Sequence, residues 1–427
     1  MRSVLFSVAT FSWLLACGSS SSEPQAVPAV PGAQVSAEPV VETPPASNQK
    51  PVEKPVEPTG APATVTPASA FPTVVSSGGN VVAAPKVMPI YFDGYALRAE
   101  LDRFHQSYAT STHWLGAVGE YGVGAMTLRP SVTRTDAATS SVTDDQIKGW
   151  LQANLGEGKL LGVPDADTAY VLYYPARSTI SLQGSESCSS FGGYHSELAT
   201  SDGNKVGYAV IPTCDQDSLY TASDHEMVEW ATDRFPYTAQ AYANLTPEFA
   251  AFGLIGGAEI SDICTFLERT QAQALGSREI GYIPEDLGFR VQRHFSNKAS
   301  QAGHFPCAPN YDQTFLVGVP QLSASTSLGR GGKTSYMSIR GGAGEIKIKI
   351  HSDKAVAQPW RIFAQGLSFG GATARMKISL DKTRVLPGDE VTLTVSNSKE
   401  TQAGILLVTS APDGSAAHSW PILAFAQ

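Results

Sequence analysis

The chain has 427 residues, 42% of them apolar and only 16% charged, with 39 glycines, 28 prolines and a formal net charge of −9. That length exceeds what one hydrophobic core usually serves, so two domains plus flexible segments are expected. The acidic balance, with no basic stripe to offset it, excludes a nucleic-acid binder, because phosphate recognition draws its affinity from lysine and arginine.

At the N-terminus Arg2 precedes an apolar run from Val4 to Leu15, and Leu14-Leu15-Ala16-Cys17 closes it. A bilayer needs roughly 20 apolar residues to be spanned, so this run is too short for a transmembrane helix and has the form of an export signal. Residues 1–17 resemble a bacterial lipoprotein signal peptide with its lipobox. The resemblance implies lipidation of Cys17, and Gly18 after it implies anchorage at the outer membrane, facing away from the cytoplasm. From residue 18 to residue 70 there is no aromatic residue, and stretches such as KPVEKPVEPTGAP dominate. Such a composition buries too little apolar surface to offset the entropy of ordering, so a disordered tether is expected.

Residues 71–312 read as an α+β domain. Lys86 to Phe92 forms a strand, with Pro89 favouring a sheet edge. Leu97, Leu101 and Phe104 recur at helical spacing. Thr143-Asp144-Asp145-Gln146 has the form of a capping box, opening a helix that carries Ile147, Trp150 and Leu151. Thr168 to Pro175 is a buried strand, and HSELATSDGNKVGYAVIPTC predicts a hairpin around Asp202-Gly203. A helix then runs from near Ser218 to a point before Pro236, since the residue preceding a proline avoids the helical region. Beyond residue 312 the helical signal ends. GEIKIKIHS alternates Ile346, Ile348 and Ile350 with lysines, and later strands follow at the spacing of a β-sandwich over residues 313–427. Here LPGDEVTLTV resembles bacterial immunoglobulin-like and fibronectin-like modules.

With Cys17 set aside, Cys188, Cys214, Cys264 and Cys307 remain. In an exported chain they read as two disulfides with three possible connectivities. Cys188–Cys214 with Cys264–Cys307 is preferred because each pair brackets a compact stretch. Their spacing matches no zinc knuckle.

The chemistry concentrates in DHEMVEWATD. His225 and Glu229 stand four apart and share one helix face, as two ligands of one metal must. Glu226 lies one position round, where a carboxylate can reach a metal-bound water as general base. GGAEISDIC offers Glu259 as a third ligand and Asp262 as either a ligand or the partner that orients His225. The alternative for Glu226 is structural, since Ser223-x-x-Glu226 also fits a capping box. In GGYHSEL, Tyr194 and His195 are candidates for transition-state hydrogen bonding. His294 and His304 are weaker candidates of the same kind; His105, His113, His351 and His418 are expected to be structural.

His-Glu-x-x-Glu followed by Glu-x-x-Asp resembles the gluzincin arrangement of zinc metallopeptidases, except that the family has histidine where this chain has Glu229. Cys188, GGYHS, YAVIPTC, HEMVEWATD and AEISDIC together also resemble exordium-like secreted proteins. The resemblance implies a zincin-like catalytic domain followed by a small immunoglobulin-like sandwich. It further implies a metallopeptidase that cleaves a protein or peptide through a metal-activated water, with His225, Glu226 and Glu259 carried over directly. The oxygen-rich ligand set admits Zn2+ but also Ca2+, Mg2+ or Mn2+. GRGGKTS places Ser327 where a nucleotide-binding loop needs its first glycine, so no nucleotide is expected. A non-catalytic binding or adhesion module on the cell surface, or a structural envelope protein, are the competing expectations.

Overall fold

The computed structural model describes residues 71–255, 257–274, 280–308, 315–328, 332–368, 376–396, 398, 403–411 and 418–426. The expected signal, Cys17 and the tether lie outside the described residues. The described chain is mixed α+β, with an α/β N-terminal region and a largely β C-terminal region. Among the described residues no helix is long and apolar enough to cross a membrane.

The first region is built on one sheet. Its strands are β1 (Lys86–Phe92), β2 (Thr127–Leu128), β3 (Val132–Arg134), β4 (Thr168–Tyr174), β5 (Tyr194–Ala199) and β6 (Lys205–Pro212), in the order β2-β1-β4-β6-β5 with β3 also on β1. β1, β4 and β6 run parallel, whereas the β5–β6 hairpin makes β5 an antiparallel edge strand. Pro89 does not lie on a sheet edge as expected: β1 is flanked on both sides. The missing N–H is accommodated because Pro89 faces the gap between β2 and β3, where no ladder bond is due.

The strands alternate between two cores. Val87, Val171, Tyr173, Ala209 and Ile211 face helices α1 (Arg98–Thr110), α2 (Thr112–Val118), α4 (Gln216–Thr232) and α5 (Ile260–Ala274). Met88, Ile90, Leu172, Tyr208 and Val210 face α3 (Asp144–Asn154), which packs on the other side. The capping box of α3 forms as expected. Thr143 accepts from the Gln146 N–H, and the Gln146 side chain accepts from the Thr143 N–H.

The disulfides are Cys188–Cys214 and Cys264–Cys307. The first ties the approach to β5 to the entry of α4. The second ties α5 to the segment after α6 (Asn297–Gln301).

The C-terminal region has strands β7 (Leu316–Gln321), β8 (Ala324–Leu328), β9 (Gly332–Ile339), β10 (Gly344–Ser352), β11 (Trp360–Ser368), β12 (Lys377–Leu380), β13 (Arg384–Val385), β14 (Glu390–Ser396), β15 (Ala403–Ala411) and β16 (His418–Ala426). They form a four-stranded sheet, β7-β10-β14-β12, and a six-stranded sheet, β8-β9-β16-β15-β11-β13. Ile346, Ile348 and Ile350 of β10 are buried between the sheets while Lys347 and Lys349 face solvent. Phe315, Val317 and Trp420 belong to the α/β region's core instead, with the Trp420 ring centred 5.6 Å from Phe249 and 5.5 Å from Phe252. The two regions therefore share apolar packing.

Candidate metal centre

α4 begins when the Asp215 side chain caps it by accepting from the Ser218 N–H. It runs through the centre of the region, so both its apolar and its charged residues are enclosed. Gly207 of β6 permits this approach, because a Cβ there would sit 2.0 Å from Trp230 Nε1. Ser223 lies inside the helix with Oγ donating to the Leu219 carbonyl, which rules out the Ser223–Glu226 capping box. Glu226 therefore needs another account, since it is buried with Glu229 beside it.

His225 Nε2 is 3.0 Å from Glu229 Oε1 and 3.5 Å from Asp262 Oδ1. These three ligand atoms all lie within 4.8 Å of one another. Asp262 reaches the site from the first turn of α5, and its backbone N–H donates to Glu229 Oε1 at 3.1 Å. Gly257 makes room: its φ is +87°, and a Cβ there would fall 1.7 Å from Asp262 Oδ2.

The other nitrogen of His225, Nδ1, lies 3.2 Å from Gln292 Oε1. The Gln292 amide is oriented by its Nε2 donating to the Ser261 carbonyl, while Oε1 also accepts from Thr265 Oγ1. His225 Nδ1 thus donates to Gln292 and Nε2 is aimed at the carboxylates. A metal-bound imidazole normally has such a partner on its other nitrogen, fixing the tautomer and the ring orientation. Asp262, one expected candidate for this orienting role, instead stands on the ligand side.

A second group forms on the opposite oxygen of Glu229. His195 Nδ1 is 3.4 Å from Glu226 Oε2 and 3.7 Å from Glu229 Oε2, while Nε2 is 3.5 Å from Glu259 Oε1. Glu259 therefore meets His195 and not His225. The alternation of β5 decides which neighbour joins the site: His195 pairs with Ala209 on the α4 face. Tyr194 pairs with Val210 on the other face, where its hydroxyl donates to Asp144, so it is not brought to the cluster.

A third group has another character. Asp224 accepts from Tyr108 and from the Gln292 N–H, and both His113 Nε2 and His294 Nε2 lie within hydrogen-bond distance of it. The remaining ring nitrogens meet Tyr282 and Ser261. Every ligand-capable atom is already engaged, and the network holds Gln292 in place behind His225. His294 has this supporting place, while His304 pairs with Asp353 far from the site. His113 has the structural place expected of it, whereas the parts of Asp224 and Gln292 are not legible in the sequence. Only the position of Asp224 next to His225 carried any signal.

The electrostatics follow from crowding four carboxyl groups and two imidazoles where the protein encloses them. Burial and the nearby Asp262 push the Glu229 carboxyl up to about 7. Burial, then Glu229 and Asp233, hold Glu259 well above the usual carboxylate range. Burial pulls His225 down, but Glu229 and Glu226 outweigh it and hold the imidazole well above its ordinary value. His195 is raised in the same way by Glu226 and Glu229 against its burial. Without a cation the cluster must hold protons.

No family model matches the chain and no curated protein matches it. Among solved structures the chain is similar to one titled "Structure of the N-terminal domain of PorA", over 27% of this chain and 98% of that one. The identity is 14% and the TM-score 0.16, a likeness too slight to bear on fold or function.

Proposed function

We propose that the protein is an extracytoplasmic, metal-dependent peptidase-like hydrolase whose cation is held by His225, Glu229 and Asp262. The observation that carries this reading is the convergence of those three ligand atoms, with the second nitrogen of His225 held by Gln292. A cation held by these residues would supply Lewis-acid activation of a water and of a scissile carbonyl. Glu226, enclosed on the same helix, takes the proton and passes it to the leaving amine. His195 and Glu259 line the opposite side of Glu229.

The zincin-like reading of the fold is supported by a mixed sheet whose antiparallel edge strand runs beside the His-Glu-x-x-Glu helix, with a further acid supplied by the next helix. In this reading the third ligand is Asp262, where the sequence favoured Glu259. The two-sheet C-terminal region supports an immunoglobulin-like presenting module. The disulfides suggest an extracytoplasmic location; with Cys17 lipidated, as the N-terminal resemblance implies, the substrate in this reading is a protein or peptide of the envelope. One imidazole and two carboxylates nearly cancel the charge of a divalent cation, so its water is less acidified than in a site with neutral ligands. That observation favours the second reading, a metal-bound binding module with little hydrolysis.

Elemental analysis of the folded protein tests the proposal. Metal that Glu229→Ala abolishes is expected, and a metal-free protein purified without chelator overturns it. Cleavage of a protein mixture that Glu226→Gln abolishes separates the hydrolase from the binding module.

A further inference from the structure

Glu229 belongs to both ligand groups at once, and its two oxygens face different partners. Oε1 meets His225 and Asp262, whereas Oε2 faces His195, which in turn meets Glu226. We propose that Glu229 bridges two divalent cations, the second held by His195 Nδ1, Glu226 Oε2 and Glu229 Oε2. This rests on the metal reading above and deepens it.

Three observations carry the inference. First, the separations of 3.4 and 3.7 Å around His195 Nδ1 are long for charge-assisted hydrogen bonds. They match the roughly 3.4 Å edge of a tetrahedron whose ligands lie about 2.1 Å from a metal. Second, His195 is only 7% exposed, yet its Nε2 and the facing Glu259 Oε1 have no hydrogen-bond partner. With Nδ1 on a cation, Nε2 carries the proton and Glu259 accepts it, the usual carboxylate–histidine–metal relation. Third, four carboxyl groups, Glu226, Glu229, Asp262 and Glu259, crowd this place, where an unpaired charge is costly, and a second cation would allow them to ionise together. Gly193 leaves room for the Glu226 carboxyl group, since a Cβ there would lie 2.9 Å from Glu226 Oε1.

A shared carboxylate holds its ions about 3.5–4 Å apart, the spacing of hydrolytic two-metal sites. Glu226 would then be a ligand of the second cation and not the base of the one-metal reading.

Mn2+ titration of the whole chain, followed by electron paramagnetic resonance, tests this. The wild type is expected to bind two equivalents, with the isolated-ion signal of the first replaced by a spin-coupled spectrum on the second. His195→Ala is expected to bind one equivalent with an uncoupled signal. One equivalent in the wild type, or two without coupling, overturns the bridge and leaves the single-metal reading standing. No binding overturns both. The wild-type spectrum decides the matter even if the variant does not fold.

Discussion

Gln292 governs which nitrogen His225 offers to a cation, through one hydrogen bond set by the Ser261 carbonyl on its far side. Gln292→Ala is therefore expected to weaken metal binding by about 10–100-fold, the usual cost of losing an outer-shell partner. Competition against a chromogenic chelator measures it, and an unchanged affinity removes Gln292 from that role. The proton-holding groups make a second prediction at this scale. Glu229, raised to about 7, and His225, also raised, each bind a proton more tightly in the folded than in the unfolded chain. Their contribution to stability is thus present below the unfolded values and is lost as pH rises through the folded ones. The metal-free protein should melt at progressively lower temperature from about pH 5 to pH 8. A divalent cation displaces those protons, so its affinity should rise over the same window and its presence should flatten the slope. Calorimetry at several pH values with and without chelator checks both.

Elements place these residues through close approaches that only glycine allows. Gly257→Ala combines a left-handed φ of +87° with a Cβ directed at Asp262, so it should displace the ligand and cost metal as well as stability. Gly207→Ala strikes the Trp230 indole and pushes α4 from the sheet, a loss of about 1–3 kcal/mol by overpacking that thermal melting reads. Local pattern announced these elements well. The capping box of α3 and the hairpin around Asp202-Gly203 formed because their signals are complete within a few residues. Pro89 shows the limit: whether a strand tolerates a missing donor depends on the neighbour opposite it, and here that neighbour is the break between β2 and β3.

Across the whole molecule, the change from helices to strands falls near residue 313, yet the packing does not divide there. Trp420 from the last strand closes the core above Phe249 and Phe252, which precede α5. Trp420→Ala should cost about 3–5 kcal/mol, as truncation of a fully buried aromatic does. A fragment ending at residue 312 should melt lower than the intact chain for the same reason. Equal melting temperatures would show that the regions are energetically independent.

The sequence by itself determined what nearby residues decide, the alternation of β10 and the i and i+4 pairing of His225 with Glu229, and it favoured the cysteine pairing found among three possible ones. Only the tertiary structure decided how the acids are shared. Asp262 and Glu259 are three residues apart, yet one meets His225 and the other His195, because that division depends on where α5 lies against α4. Likewise β5 had to present one face to α4 before His195 could join the cluster and Tyr194 be turned to the far core. Asp224, His113 and Gln292 meet across more than 60 residues of chain. No local spacing encodes such a contact, since it exists only once the sheet and helices have packed.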